Sequence, residues 1–366
     1  MRTARPKRSE TATCAYCPEM CRFVCPVSNA TCKQTHTPSG KMSLLHLQRT
    51  GARGFDEAAG AALFACTGCG RCTASCRHSV DVAAALLEAR AEVVDEGEAP
   101  KSVDQIRDSF AKARNPFGVD LAARAREISR ETEGRAYFPG CTAIAREPSI
   151  AKAAIDAAAG FGIRLALGEA CADCCGYPLL AAGLRAEFVE HARGFAKRLE
   201  GHAELIVGDP GCAVTLLRHY PEAGVELKPK IVLLLDLLAD RLEYAFGRAP
   251  LNLKLSYHEA CKLGRELGRR EGPRRLLRAA VGKFHEPAPA DAGCAGGGGL
   301  LALTMPEAAA RIATEQAKAH LVPEHRIVTA CPTACRTFRR AGIDALDLFT
   351  VLARWIAFRD EEEARF

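Results

Sequence analysis

Eight of the 18 cysteines in this 366-residue chain stand in two short runs near its N-terminus. The first reads Cys14-x2-Cys17-x3-Cys21-x3-Cys25-Pro26, the second Cys66-x2-Cys69-x2-Cys72-x3-Cys76. Thiolates two or three residues apart let one tight loop wrap a cubane iron–sulfur cluster, while the last cysteine of each run reaches a different cluster. The spacing predicts two [4Fe-4S] clusters with exchanged fourth ligands. Cys14, Cys17, Cys21 and Cys76 would hold one; Cys66, Cys69, Cys72 and Cys25 the other. Structural zinc is the alternative, since paired C-x2-C also binds Zn²⁺. Four cysteines in one twelve-residue run ending in Cys-Pro favour the iron–sulfur reading.

A second set of cysteines repeats. Cys141 and Cys261 are 120 residues apart, as are Cys174 and Cys294, while Cys212 and Cys331 are 119 apart. The same elements return around them. A short apolar strand (135–138; 253–258) leads to the first cysteine, and a helix follows (149–159; 273–281). A second strand (163–167; 283–285) leads to a Gly-bearing cysteine loop, then another helix (184–199; 307–320). A third strand (205–207; 326–328) ends at the third cysteine. Strands alternating with helices predict parallel sheets, and matched spacing twice over predicts a duplication. The repeat cysteines then lie just past the C-terminal ends of strands, where open α/β sheets place their ligands.

The region before the repeats reads as helical. Stretches around 43–48, 56–64 and 80–95 carry helical periodicity, and further helices are expected at 102–113 and 120–130, broken by Asn115-Pro116-Phe117-Gly118. The expected organisation is a helical dicluster domain over 1–95, a helical connector over 96–134, a first repeat over 135–248 and a second over 249–366.

Composition narrows the function classes. Hydrophobic content of 48% with 26% charged residues is that of a folded globular chain. The net charge of +6 is spread out, apart from a basic arm of Arg2, Arg5, Lys7 and Arg8 without the apolar run of a signal peptide. The longest apolar stretch, 231–239, carries Asp236 and is far short of a bilayer span, so no transmembrane segment is expected. So many cysteines without an export signal predict metal-ligating thiolates in a reducing cytoplasm. One tryptophan and 6% aromatics leave little on which bases could stack, so nucleic acid is not an expected partner.

The loops themselves resemble a known family. The first repeat holds Cys174-Cys175-Gly176-Tyr177-Pro178; the second holds Tyr257-His258-Glu259-Ala260-Cys261-Lys262-Leu263-Gly264-Arg265, Cys294-Ala295 followed by four glycines, and Cys331-Pro332-Thr333-Ala334-Cys335. These stretches resemble the two-fold cysteine-rich CCG family. It includes heterodisulfide reductase catalytic subunits, the iron–sulfur subunit of glycolate oxidase and the small subunit of anaerobic glycerol-3-phosphate dehydrogenase. The resemblance implies an α-helical ferredoxin-like domain followed by two duplicated α/β lobes. It also implies a further, non-cubane iron–sulfur cluster in the repeats, with Cys141, Cys174, Cys175 and Cys212 as its home. Cys261, Cys294, Cys331 and Cys335 remain as candidates in the second repeat. There Ala295 stands where the family has its second adjacent cysteine, and alanine cannot bind iron. Two smaller departures, three residues between Cys17 and Cys21 and no proline after Cys76, leave the cubanes intact.

Several residues stay open. Gly296–Gly299 fits no phosphate-loop pattern and reads as a turn hugging a cluster. His258 is a ligand, a hydrogen-bond donor beside one, or a core imidazole. Cys32 and Cys171 match no motif, and Cys174-Cys175 could be small buried hydrophobes. Arg71, Arg77, His78, Lys262 and Arg265 flank ligands, either raising a cluster potential or lying solvated. No flavin or nicotinamide motif is present. The expected function is therefore an electron-transfer subunit working with a separate flavoprotein, and the family resemblance implies oxidation of a 2-hydroxy acid or glycerol phosphate with electrons passed toward a membrane quinone-reducing partner. A heterodisulfide-reductase-like enzyme is the alternative. The expected location is cytoplasmic, peripheral on the inner membrane through a partner.

Overall fold

The computed structural model describes residues 8–131, 133–288 and 293–363. Arg2, Arg5 and Lys7 of the basic arm lie outside the described residues. Up to residue 128 the chain is helical, with its longer helices at Pro38–Arg49, Val82–Asp95 and Ser102–Ala113. Side-chain caps set several helix starts. Thr37 Oγ1 accepts from Gly40 N at 2.9 Å, and Asp56, Asp81 and Asp120 accept from the amide three residues on, at 2.7, 3.1 and 2.9 Å. Short turns between these helices carry the two cysteine runs.

Helix Val82–Asp95 buries Val82, Ala85, Leu86, Ala89, Arg90 and Val93, a stripe at helical spacing with one cation in it. Arg90 is 2% exposed. Its guanidinium donates to the carbonyls of Leu63 (3.2 Å), Phe64 (3.1 Å), Cys66 (3.0 Å), Ala181 (2.9 Å) and Gly299 (3.2 Å). One side chain thus ties the second cysteine run to both halves of the rest of the molecule.

From residue 135 onward two parallel sheets follow one topology. The first has strands β1 (Arg135–Phe138), β2 (Leu165–Ala166), β3 (Glu204–Val207) and β4 (Lys230–Leu233) in the order β2-β1-β3-β4. The second has β5 (Leu255–His258), β6 (Arg326–Thr329) and β7 (Ala345–Asp347) in the order β5-β6-β7, and a parallel bridge from Ser256 to His285 stands in the place of β2. The central strands are buried on both faces and read accordingly: Leu205, Ile206 and Val207 are fully buried. β4 and β7 extend each sheet beyond the three strands expected from the sequence.

The two sheets exchange helices. Pro148–Gly160 of the first half packs on Leu348–Glu363 of the second, and Leu234–Ala239 of the first on Glu271–Val281 of the second. These are corresponding elements in reciprocal contact, the pattern of a two-fold relation between duplicated halves. The first contact is tight enough that a Cβ on Gly160 would lie 2.2 Å from the Ile356 side chain. Among the described residues no helix is long and apolar enough to cross a membrane.

Candidate metal centres

Four groups of thiols form, two in the helical region, one in the first repeat and one between the helical region and the second repeat. In the helical region one cavity is lined by Cys14, Cys17, Cys21 and Cys76, with Ser39, Val80 and Val82. A second is lined by Cys25, Cys66, Cys69 and Cys72, with Lys41 and Leu86; Cys72 also reaches the edge of the first. The thiols feel one another. Burial pushes Cys14 up to about 12, and Cys21, Cys76 and Cys17 add to it. Burial likewise pushes Cys72 up, with Cys66, Cys69 and Cys25 next in effect. Such thiols stay protonated in the empty protein, so loading metal must release protons.

Positive charge is buried in the second cavity at Lys41 and beside the second cysteine run at Arg90, without an acid to match. Lys41, 1% exposed, donates to the His36 carbonyl at 2.6 Å. Burial pulls Arg90 below its ordinary pKa, partly opposed by Cys66 and Tyr177. Among the described residues neither cation has a carboxylate within ion-pair distance. A buried cation is costly unless paired. An anionic iron–sulfur cluster held by these cysteines would supply the missing charge, so the donor set fits the group the spacing predicts. Among the described residues no three Cys, His, Asp or Glu side chains form a site for a single metal ion; the thiols line cavities instead.

The third group belongs to the first repeat. Cys174 lies beside Cys141 and Cys175, and Cys175 beside Cys212, all four thiols buried. Burial, then the contacts with Cys141 and Cys175, push Cys174 up, while hydrogen bonds from Cys174 and then Cys212 hold Cys175 well down. Asp209, capping the helix after β3, accepts from Gly211 N at 2.7 Å. Burial, then the neighbouring Cys175, raise its carboxyl to about 6. Gly140 makes the approach possible: its φ is +87°, and a Cβ there would meet Cys212 Sγ at 3.0 Å.

The fourth group crosses between parts. Cys294 lies beside Cys261 and Cys69 of the second run, and its thiol donates to Thr67 Oγ1 at 3.5 Å. Cys331 lies near Cys261 and Asp209. The glycine run makes the crossing possible. A Cβ on Gly298 would lie 2.3 Å from the Thr67 carbonyl and one on Gly299 2.1 Å from the Cys66 carbonyl, so the loop hugs the backbone of the second cysteine run. Backbone amides bond sulfur in the same local pattern at three loops: Gly68 N to Cys66, Gly176 N to Cys174 and Gly296 N to Cys294, at 3.3, 3.4 and 3.3 Å.

The structure corrects the register of the third repeat cysteine. Pro210 and Pro332 open the equivalent helices after β3 and β6, and they are 122 residues apart. Cys331 therefore holds the capping position of Asp209, and the place of Cys212 is taken by Ala334. Cys335 is turned away: its thiol donates to the Ala345 carbonyl of β7 at 3.7 Å. The second repeat thus lacks thiols at two positions, Ala295 and Ala334. His258 is a core imidazole, 3% exposed, edge-on to Phe338 at 5.0 Å, and burial lowers it to about 3. Cys171 is buried and pushed up to about 12 by burial alone; Cys32 is exposed. Arg77 and His78 are exposed, whereas Arg265 donates to the carbonyls of Cys69 and Gly293, both at 2.8 Å, and Lys262 to Gly68 at 3.1 Å. Arg90 and Lys41 escaped the sequence reading because no motif surrounds either; Arg90 was visible only as a charge inside an apolar helical stripe.

Comparison with known proteins agrees with this arrangement. The 4Fe-4S dicluster domain matches residues 10–80, and the cysteine-rich domain matches 135–217 and again 255–338. The chain thus carries a dicluster iron–sulfur domain followed by two cysteine-rich domains. It is an iron–sulfur protein related to oxidoreductase subunits. It is 26% identical over 327 residues to one subunit of the CoM/CoB fumarate reductase of Methanothermobacter marburgensis, covering 85% of this chain and 65% of that one. It is 25% identical over 306 residues to one subunit of the dihydromethanophenazine:CoB–CoM heterodisulfide reductase of Methanosarcina mazei, covering 78% and 74%. It is 25% identical over 199 residues to lactate utilization protein A 2 of Bacillus cereus, covering 51% and 81%. The chain thus spans just under two thirds of the first relative's length.

Proposed function

We propose that this chain is the iron–sulfur electron-transfer subunit of a flavin-linked oxidoreductase. The helical region is read as a ferredoxin-like dicluster domain, with one [4Fe-4S] cluster on Cys14, Cys17, Cys21 and Cys76 and another on Cys66, Cys69, Cys72 and Cys25. A further, non-cubane cluster is assigned to Cys141, Cys174, Cys175 and Cys212. When bound, such clusters supply one-electron transfer steps at potentials set by charge and hydrogen bonding. The observation that carries the reading is the pairing of thiol-lined cavities with buried, acid-free cations at Lys41 and Arg90.

The protein's own residues would shape the path. Arg90 and Lys41 put positive charge beside the second centre, which favours its reduced state. The contact of Cys69 with Cys294, itself beside Cys261, puts the second repeat against that same centre. Tyr16, Met20 and Phe23 are 85%, 66% and 69% exposed around the first run, which supports docking of a partner over the first centre. That partner is a flavoprotein or a quinone-reducing membrane protein, and the lactate-utilization relative favours a 2-hydroxy acid as the ultimate donor. The test is stopped-flow mixing of the reconstituted protein with a reduced flavoprotein 2-hydroxy-acid dehydrogenase, following bleaching of the cluster absorbance. Bleaching at a saturable rate supports the reading; clusters that dithionite reduces but no flavoprotein does would contradict it.

The second reading is a heterodisulfide-reductase-like enzyme. It is favoured by the four converging buried thiols of the first repeat and by the heterodisulfide reductase relative. Reoxidation of the pre-reduced protein by a small disulfide, with release of two thiols, would establish it.

A further inference from the structure

Beside Cys66, at the junction of the helical region and both repeats, lies a cavity of about 320 Å³. It is near the lower end of the ~300–1,000 Å³ range of small-molecule sites. Its walls carry Arg90, Arg218, Lys262, Arg265 and Arg270 against only two carboxylates, Asp81 and Glu266. Each acid is already engaged, Asp81 with Arg218 at 3.1 Å and Glu266 with Lys262. The excess is three positive charges in a concave, half-enclosed space, where low-dielectric walls focus the field on an incoming anion.

The rest of the lining suits a small polar guest. Tyr177 is stacked on His219 with ring centroids 5.9 Å apart, and Lys262 lies over the Tyr177 ring at 5.4 Å. Gly68, Gly70 and Gly299 leave the wall free of side chains on the Cys66 side. Arg218 and Arg270 are more than two-fifths exposed; Arg218 pairs with Glu222 as well as Asp81, and Arg270 lies 3.9 Å from Glu259, so an incoming oxyanion competes with these surface acids for the two guanidiniums. All three parts contribute, so the cavity exists only in the assembled fold.

We propose that this cavity binds a small oxyanion, a carboxylate or a phosphate carried by a compact molecule, held by Arg218, Lys262 and Arg270 with the Tyr177 hydroxyl. Two planar guanidiniums can each grip an oxyanion through paired N–H donors, which lysine alone cannot do. The bound anion lies next to Cys66. If that cysteine ligates a cluster, as the proposed function has it, occupancy lowers that cluster's reduction potential.

The test is isothermal titration calorimetry on the reconstituted full chain with two probes, lactate and inorganic phosphate, which separate carboxylate from phosphate selectivity. The expected result is saturable binding of at least one probe, weakened roughly tenfold or more in Arg218→Gln and in Arg270→Gln. Arg275→Gln, an exposed arginine outside the cavity, should bind as the parent does. Iron content equal to the parent's shows that the variants are folded and loaded. No saturable binding of either probe, or the same loss in Arg275→Gln, would overturn the proposal. Redox titration with and without the better probe reads the coupling. Binding in a protein without cubanes would leave the oxyanion site standing and remove the electron-transfer reading, whereas cubanes without binding would do the reverse.

Discussion

Replacing Arg90 by methionine should loosen the whole molecule, because one guanidinium holds three regions together. It satisfies five carbonyls, at Leu63, Phe64, Cys66, Ala181 and Gly299, all within 2.9–3.2 Å. Methionine fills much of the same space but offers no donor. A buried acceptor left unsatisfied costs ~1–3 kcal/mol, while removing the buried charge relieves part of its desolvation cost. The net loss expected for breaking such a network is about 3–5 kcal/mol, a large share of the ~5–15 kcal/mol that stabilises a folded protein. At ~2–4 °C per kcal/mol for a chain larger than a small domain, the melting temperature should fall by about 6–20 °C in calorimetry. Arg90→Lys keeps the charge but not the five-way fork, so it should recover little of the stability. It should nevertheless keep the potential of the neighbouring cluster close to the parent's, whereas Arg90→Met lowers it by on the order of tens of millivolts. A methionine variant melting within about 1 °C of the parent would refute the argument that these hydrogen bonds join the parts.

Other outcomes follow from the same geometry. Cys175→Ala should abolish the non-cubane paramagnetic signature with loss of iron, while Cys294→Ala should keep part of it. Equal iron loss in the two would show one site shared between the halves. Gly298→Ala drives a Cβ to 2.3 Å from the Thr67 carbonyl and should cost about 1–3 kcal/mol, read as a lower midpoint in urea. Asp347 is fully buried, burial raises it from 3.8 to about 7, and its Oδ1 accepts from Phe349 N at 2.9 Å. An acid raised in the folded state favours folding while protonated, so its contribution is full below about pH 4 and is lost as the pH rises to 7. Asp347→Asn keeps the acceptor without the charge and should be the more stable protein above pH 7, by about 2–4 kcal/mol. Stability curves of parent and variant that run parallel from pH 4 to 8 would contradict this.

What the sequence shows about this fold depends on how local the cause is. The cysteine runs, the capped helices and strands such as Arg135–Phe138 are written in adjacent residues, and the structure has them where the spacing and periodicity put them. Helix Ser102–Ala113 also falls where its pattern places it. The short outer strands β4 and β7 carry no alternation of their own, and they exist because β3 and β6 offer an edge to pair with. The offset of Cys331 against Cys212 was hidden because cysteine spacing alone was matched; aligning the prolines that open the helices would have exposed it. Ala334 then reads as a second missing thiol, and Cys335 as a residue facing the sheet. The contact of Cys69 with Cys294 could not be read at all, since it joins residues more than two hundred positions apart. The glycine run was legible as a close approach, but its target is the carbonyls of Cys66 and Thr67 as much as any sulfur.

The central claim, that the helical region holds two cubane clusters on crossed ligand sets, is met most directly by Mössbauer spectroscopy with iron, zinc and acid-labile sulfide counts. The samples are the anaerobically purified parent, Cys25→Ala and Cys76→Ala. The account predicts about eight cubane irons and eight sulfides in the parent, beyond any iron held by the first repeat. Cys25→Ala should perturb the cluster that Cys66, Cys69 and Cys72 share, and Cys76→Ala the one on Cys14, Cys17 and Cys21. Zinc in place of iron, or loss of the cluster on Cys14, Cys17 and Cys21 when Cys25 is replaced, would contradict it.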